Sequence, residues 1–295
     1  MFEDFYNKFE VFYNKYYIYF LLLPILLFII AIFSLTINYR NTGDIVDRDV
    51  SLTGGVTATV YGPANLNEIE DGLKKEFPDA DFNVRGLGIF ETATSAGFIV
   101  EITDVSDEDL KIALDKIVGL KEGSYSFEET GSALGNSFYK QMLRSILIAF
   151  TFMSIVIFVS FRKLAPSIAI IISPIFNIVM VLSVINLIGM KISTAGIAAI
   201  LLTIGYSIDT DVVLTNRILK KKEGSINKSI ISAMKTGLTM TLTTVVALTA
   251  GYLFSKSIII KEMFLIILIA LFFDLIATYV TNAGILKWYF EREKL

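Results

Sequence analysis

The sequence predicts an all-α membrane bundle of six transmembrane helices, with a small α+β domain inserted between the first helix and the other five. Three observations carry this reading. The 295 residues are 54% hydrophobic and only 19% charged, with a mean hydropathy of +0.64, whereas soluble domains hold roughly 45–50% apolar and about 25% charged residues. Six apolar runs are long enough to cross a bilayer, and a polar stretch from Asn38 to Gln141 separates the first from the rest. Within that stretch acids outnumber bases 19 to 9, a net −10, which leaves +7 for the rest of a chain whose total is −3.

A helix needs about 20 mostly apolar residues to cross a hydrocarbon core of about 30 Å. The runs that qualify are Tyr17 to Ile37, Leu143 to Phe161, Pro166 to Ile188, Ser193 to Leu214, Ser229 to Phe254 and Ile258 to Leu286. The first has mixed-charge residues before it and no small-residue cleavage site after it, so it reads as a retained span rather than a signal peptide. Before it, Phe5, Phe9, Phe12 and Tyr16 recur at helical spacing, which fits either an aromatic helix in the membrane surface or a simple extension of the first span.

Lys and Arg in short loops set orientation. One set of ends carries Lys8 and Lys15, Arg162 and Lys163, Arg217, Lys220, Lys221, Lys222 and Lys228, then Lys287, Arg292 and Lys294. The opposite short loops carry Lys191, Lys256 and Lys261. Both termini are therefore expected in the cytoplasm of a multi-pass plasma-membrane protein. Residues 1–37 form the N-terminal segment and first span, 38–141 the extracytoplasmic domain, and 142–295 the five-helix membrane domain.

The polar stretch reads as βαββαβ: a strand from Ser51 to Tyr61, a helix from Asn65 to Phe77 opened by an Asn cap, strands at Asp81 to Leu87 and Gly97 to Thr103, a helix from Ser106 to Val118, and a strand from Ser124 to Glu129. That order predicts a ferredoxin-like domain, one antiparallel sheet faced by two helices.

The chain has no cysteine and no histidine, which excludes disulfides, Cys/His metal sites and His- or Cys-based catalysis. No Walker-type glycine loop or hydrolase constellation is present, so no enzyme, cofactor or metal is expected. The acidic polar stretch would repel phosphates, which argues against nucleic acid, and the basic remainder faces anionic lipid.

Ionisable residues inside spans are functional candidates by default, because a carboxylate at the centre of a span costs at least ~2.5 kcal/mol. Asp209 and Asp211 in the fourth span and Asp274 in the sixth are such residues. Two residues apart, Asp209 and Asp211 point about 200° from one another, so they do not share a partner. Lys235 and Asp209 each lie 13 residues from Lys222 at the tip of the hairpin, which suggests an Asp209–Lys235 pair. On the fifth span Ser232, Thr236, Thr239, Thr243, Ala247 and Ala250 form a small-residue stripe, read either as close helix packing or as hydroxyls lining a path to the aspartates. Tyr279, Thr281 and Asn282 are placed to satisfy Asp274.

Gly-Tyr-Ser-Ile-Asp-Thr-Asp at 205–211, running on to Arg217, resembles the fourth-span motif of SecD and SecF protein-export proteins. Leu52-Thr53-Gly54-Gly55, Gly131-Ser132-Ala133-Leu134-Gly135 and Thr241-Leu242-Thr243-Thr244 agree with it, which singles out Gly54, Gly55, Gly131, Gly135, Gly205, Tyr206 and Arg217. The short polar segment is more like SecF than SecD, and Lys235 to Thr241 together with Asp274 are similar to the archaeal branch. In bacterial SecF the fourth-span acid matches Thr210 here, while Asp209 lies where SecD proteins keep theirs. The bacterial fifth-span arginine aligns with Thr236, one residue from Lys235. The resemblance implies a heterodimer with a SecD subunit in the RND superfamily. It also implies work beside the Sec translocon channel on unfolded exported polypeptides, with the proton-motive force as the energy source. An RND-type small-molecule transporter and a non-energised scaffold of the translocon are the other readings.

Overall fold

The computed structural model describes residues 2–86, 97–219, 226–255 and 257–293. In chain order its elements are α1 (Phe2–Thr42), α2 (Val50–Thr53), β1 (Gly55–Tyr61), α3 (Leu66–Glu76), β2 (Phe82–Gly86), β3 (Gly97–Ile102), α4 (Asp107–Val118), β4 (Tyr125–Thr130), α5 (Ser132–Phe161), α6 (Leu164–Leu187), α7 (Thr194–Leu219), α8 (Ile226–Phe254) and α9 (Ile258–Ile276). A π-helical segment (Ala277–Asn282) and α10 (Ala283–Glu293) complete the chain. Contacts divide it into two units: residues 1–46, 145–190 and 195–295 form a helical unit, and residues 47–144 with 191–194 form a sheet unit.

Among the described residues the helical unit has six helices of membrane-crossing length and composition. Helix α1 runs unbroken over 41 residues, about 62 Å at 1.5 Å per residue, so its backbone continues the first span toward the N-terminus. The side chains of Phe5, Phe9, Phe12 and Tyr16 lie outside the described residues. In α6, α7 and the last span 56, 50 and 50% of the apolar window is buried, against 11, 6 and 11% in α1, α5 and α8. The interior therefore belongs to α6, α7 and α9–α10. Ala31 of α1 packs with Phe176, Met180, Phe273 and Ala277, and Leu214, Ile218, Ile230, Ala233, Ala283 and Leu286 close a second cluster.

The sheet unit holds one antiparallel sheet in the order β2-β3-β1-β4. Alternation along β1 turns Val56, Ala58 and Val60 inward against Ile69 and Leu73 of α3 and Leu110 and Leu114 of α4. Asn65 and Ser106 cap these helices as their sequence positions require, each accepting from a backbone N–H two or three residues on. The strand expected from Ser51 starts later, because Asp49 caps a helical turn over Val50–Thr53. Gly54 (φ +90) ends that turn, and Gly55 (φ +142) brings the backbone so close to β3 that a Cβ would lie 2.4 Å from the Ile102 carbonyl oxygen. That close approach is why the Gly54-Gly55 pair stands there. Glu101 on β3 is buried and pairs with Arg85 across the β2–β3 ladder. Burial pushes its carboxyl above the ordinary value, with Asp49 adding to the rise and Arg85 and Lys191 opposing it.

Candidate functional site

Helix α7 presents the two aspartates of its motif to opposite surroundings. Asp211 is fully buried, whereas Asp209 is exposed on the bundle surface. Among the described residues no ion pair joins Asp209 to Lys235. Arg217 replaces the expected partnership: its guanidinium donates to the Ser232 carbonyl (2.6 Å), to the Ser232 hydroxyl and to Thr236 Oγ1 (2.7 Å), and Tyr206 donates to Thr241 Oγ1 (3.2 Å). Tyr206 and Arg217, toward the two ends of the motif, thus fasten α7 to α8.

Lys235, Thr236, Thr239 and Thr243 do come together, with Met240, along an open depression of about 440 Å³ on the surface of α8. The hydroxyls of Thr239 and Thr243 donate back to their own helix, to Lys235 O (2.8 Å) and to Thr239 O and Met240 O (3.1 and 2.8 Å). They are satisfied locally, which is how small hydroxyl residues behave on a helix surface in lipid. On α7 Gly205 sits one turn from Asp209, and a Cβ there would meet nothing within 4 Å.

The interior is different. Thr203, Ser207, Asp211 and Thr215 repeat every four residues along the buried face of α7, and Asp274 of the last span is buried beside them. Asn282 Nδ2 donates to Asp211 Oδ1 at 2.7 Å, and Thr210 Oγ1 lies 3.0 Å from Asp274 Oδ2 and 3.2 Å from Thr278 Oγ1. The same Thr210 hydroxyl lies 2.8 Å from Ser207 O. A hydroxyl has one proton to give, so it serves either its own helix or the Asp274 carboxylate. Asp211 and Asp274 are electrostatic neighbours. Among the described residues neither carboxylate has an ion-pair partner. One oxygen of each, and the polar oxygens of Ser173, Asn177, Ser207 and Thr215, are buried without a hydrogen bond.

The π segment explains how one helix serves both acids. Four residues of α-helix overshoot a turn by about 40°, so Asp274, Thr278 and Asn282 would drift some 80° around an unbroken helix. A π turn closes i→i+5 and holds more residues. It takes up part of that drift, and Thr278 and Asn282 both face α7. The expectation that Tyr279, Thr281 and Asn282 satisfy Asp274 is corrected accordingly. Asn282 serves Asp211, Thr281 Oγ1 is buried without a partner, and the Tyr279 hydroxyl rests on Gly237 of α8. Sequence reading missed Thr278, gave Asn282 to the wrong aspartate, and singled out Thr210 only as the match to a bacterial acid. Their one signal was a polar side chain in a span within a turn or two of an aspartate.

Six bilayer-length helices with a carboxylate pair sealed among three of them, and a small antiparallel sheet unit, define a polytopic membrane protein with an ionisable interior. The family of protein-export membrane proteins SecD/SecF, C-terminal region, matches residues 111–292. The protein-export membrane protein SecF of Methanocaldococcus jannaschii is 33% identical over 278 residues, 90% of this chain and 93% of that protein, and SecF of Methanolacinia petrolearia is 30% identical over 92% and 93%. The crystal structure of SecDF, a translocon-associated membrane protein from Thermus thermophilus, superposes with a TM-score of 0.76 at 19% identity, covering 94% of this chain and 38% of the other. The chain therefore spans well under half the length of that SecDF protein. It belongs to the SecD/SecF family of protein-export membrane proteins.

Proposed function

We propose that this chain is a SecF-like subunit that pairs with a SecD-like subunit and assists Sec-dependent translocation of unfolded polypeptides, using a transmembrane proton gradient through Asp211 and Asp274. The observation that carries the energised reading is the pair of buried carboxylates with no basic partner among the described residues. Charge in such a place is costly, so a change of protonation alters the forces between α7 and the last span, and the helices rearrange to relieve it. Thr210, Thr278 and Asn282 supply the hydrogen bonds that differ between the two charge states.

The exposed side of α7 and α8 supports the pairing. Gly205 and Asp209 on one helix, and Lys235, Thr239 and Thr243 on the other, leave charges and small residues on the surface of a span, where a partner helix rather than lipid accommodates them. The strand order β2-β3-β1-β4 with two helices on one face supports a ferredoxin-like outer domain between the first span and the remaining five. The lysine and arginine distribution supports cytoplasmic termini. On this reading the chain works by binding and movement, beside the translocon channel, and catalyses no chemical step.

The test is export into inverted membrane vesicles holding the chain with its SecD-like partner. Asp211→Asn is expected to abolish the stimulation by a proton gradient while the two subunits still purify together. Gradient-stimulated export at the wild-type level in that variant refutes the energised reading. Failure of any SecD-like subunit to co-purify with the wild type refutes the pairing.

A further inference from the structure

The end of the α6–α7 connection and the first residue of α7 belong to the sheet unit, not to the helical unit. Residues 191–194 group with residues 47–144, and each of three of them makes its own attachment. Ile192 forms a parallel bridge with Arg48: its N–H donates to Asp47 O at 2.8 Å, and the Asp49 N–H donates to Ile192 O at 3.0 Å. Lys191 Nζ lies 3.4 Å from Asp81 Oδ2, just ahead of β2. The Thr194 N–H donates to Ser51 Oγ at 3.0 Å, with Thr194 Oγ1 at 3.3 Å from the same oxygen.

The last contact is unusual in kind. Thr194 is the first residue of α7, and the opening N–H groups of a helix have no partner within it. A side chain just before the helix ordinarily reaches the second or third of these groups, and the first is left to another partner. Here it is met by Ser51, 143 positions earlier in sequence. Ser51 sits in the α2 turn, which Asp49 caps and which Gly54-Gly55 lead directly into β1. Ile192 and Ser193 are buried, as are Asp49, Val50 and Leu52, so the attachment is a packed junction and not a surface brush.

We infer that residues 191–194 are a strap that makes the start of α7 part of the outer domain's folding unit, with Ser51 as a positioning residue that caps α7 from the neck of that domain. The strap deepens the proposed function and its role in transport rests on that reading. The helix that carries Asp211 then has its first residue inside the sheet unit, held to the Asp47–Ser51 neck by its own hydrogen bonds.

Hydrogen exchange on the full chain in lipid nanodiscs, read by mass spectrometry, tests the strap without a gradient or a partner. Leu114→Ala opens a cavity in the sheet unit's core and is expected to speed exchange at Ile192 and Thr194 together with β3, by roughly tenfold or more, while α6 and the middle of α7 keep wild-type rates. Unchanged exchange at Ile192 and Thr194 while β3 accelerates overturns the inference. Ser51→Ala is expected to speed exchange at Thr194 by about fivefold, the loss typical of a cap, and Ser51→Thr to restore it. An effect of Ser51→Ala on β3 but not on Thr194 also overturns it. Both outcomes are independent of whether Asp211 is coupled to protons.

Discussion

Replacing Asn282 by alanine removes a donor to Asp211 Oδ1, and the cost depends on the charge that donor faces. The Nδ2–Oδ1 distance of 2.7 Å falls at the short end of N–H···O bonds, in the range of charge-assisted ones. Hydrogen bonds to charged groups contribute about 1.5–3 kcal/mol, whereas side-chain hydrogen bonds between membrane helices average about 0.6 kcal/mol and reach about 1.7. Single variants mix this bond with cavity and desolvation effects, so a double-mutant cycle of Asn282→Ala and Asp211→Ala, neither of which can form the bond, isolates the pairwise contribution. The assay is reversible unfolding of the purified chain in mixed micelles. A coupling energy of about 1.5–3 kcal/mol is expected when the carboxylate is ionised, falling to about 0.6 kcal/mol at a pH low enough to neutralise it. Additivity within about 0.3–0.5 kcal/mol at every pH would refute the Asp211–Asn282 interaction as the structure draws it.

Gly237→Ala places a Cβ 1.7 Å from the Tyr279 hydroxyl oxygen, and the overpacking is expected to destabilise the bundle by about 1–3 kcal/mol. Tyr279→Phe in the same chain should recover most of that loss in the micelle unfolding assay. Gly55→Ala meets both a φ of +142 and the Ile102 carbonyl. A loss of about 1–3 kcal/mol is expected in the sheet unit, seen as earlier cleavage in pulse proteolysis. Glu101 lies in the sheet unit with its carboxyl raised, so the folded state holds a proton that the unfolded chain releases. The stabilisation from this group is present below the unfolded carboxylate pKa of about 4.3 and is lost as pH rises from there through the folded value. Glu101→Gln should flatten the pH dependence of sheet-unit stability across that window, and an unchanged pH profile would refute the assignment.

Much of the architecture was legible because its signals are local. Apolar runs located all six long helices among the described residues, although α1 and α5 begin 15 and 11 residues ahead of the predicted spans, and period-two alternation with Asn65 and Ser106 caps found the strands and helices of the sheet unit. The α2 turn was missed because Val50 to Thr53 alternates like the strand it precedes, and only the Asp49 cap and the positive φ of Gly54 reveal the turn. The geometry of one helix was enough to separate Asp209 from Asp211, since the 200° offset follows from their spacing alone. The partners of Asp211 were not legible. Asn282 reaches it only because a π segment re-aims the last span, and nothing in the composition of Ala277 to Asn282 announces that change of pitch. The strap was hidden for a similar reason. Lys191 to Thr194 reads as a short loop, and its attachment to Asp47, Asp49 and Ser51 depends on tertiary pairing across some 140 residues.

The proposed energy coupling requires Asp211 to be the carboxyl whose proton responds to conditions across the membrane. Difference infrared spectroscopy on the chain reconstituted with a SecD-like subunit in oriented vesicles reads that directly, by imposing and collapsing a proton gradient and following the protonated-carboxyl stretch. A gradient-dependent band that disappears in Asp211→Asn and persists in Asp209→Asn is the predicted result. A band that survives Asp211→Asn unchanged, or that is lost only in Asp209→Asn, contradicts the account.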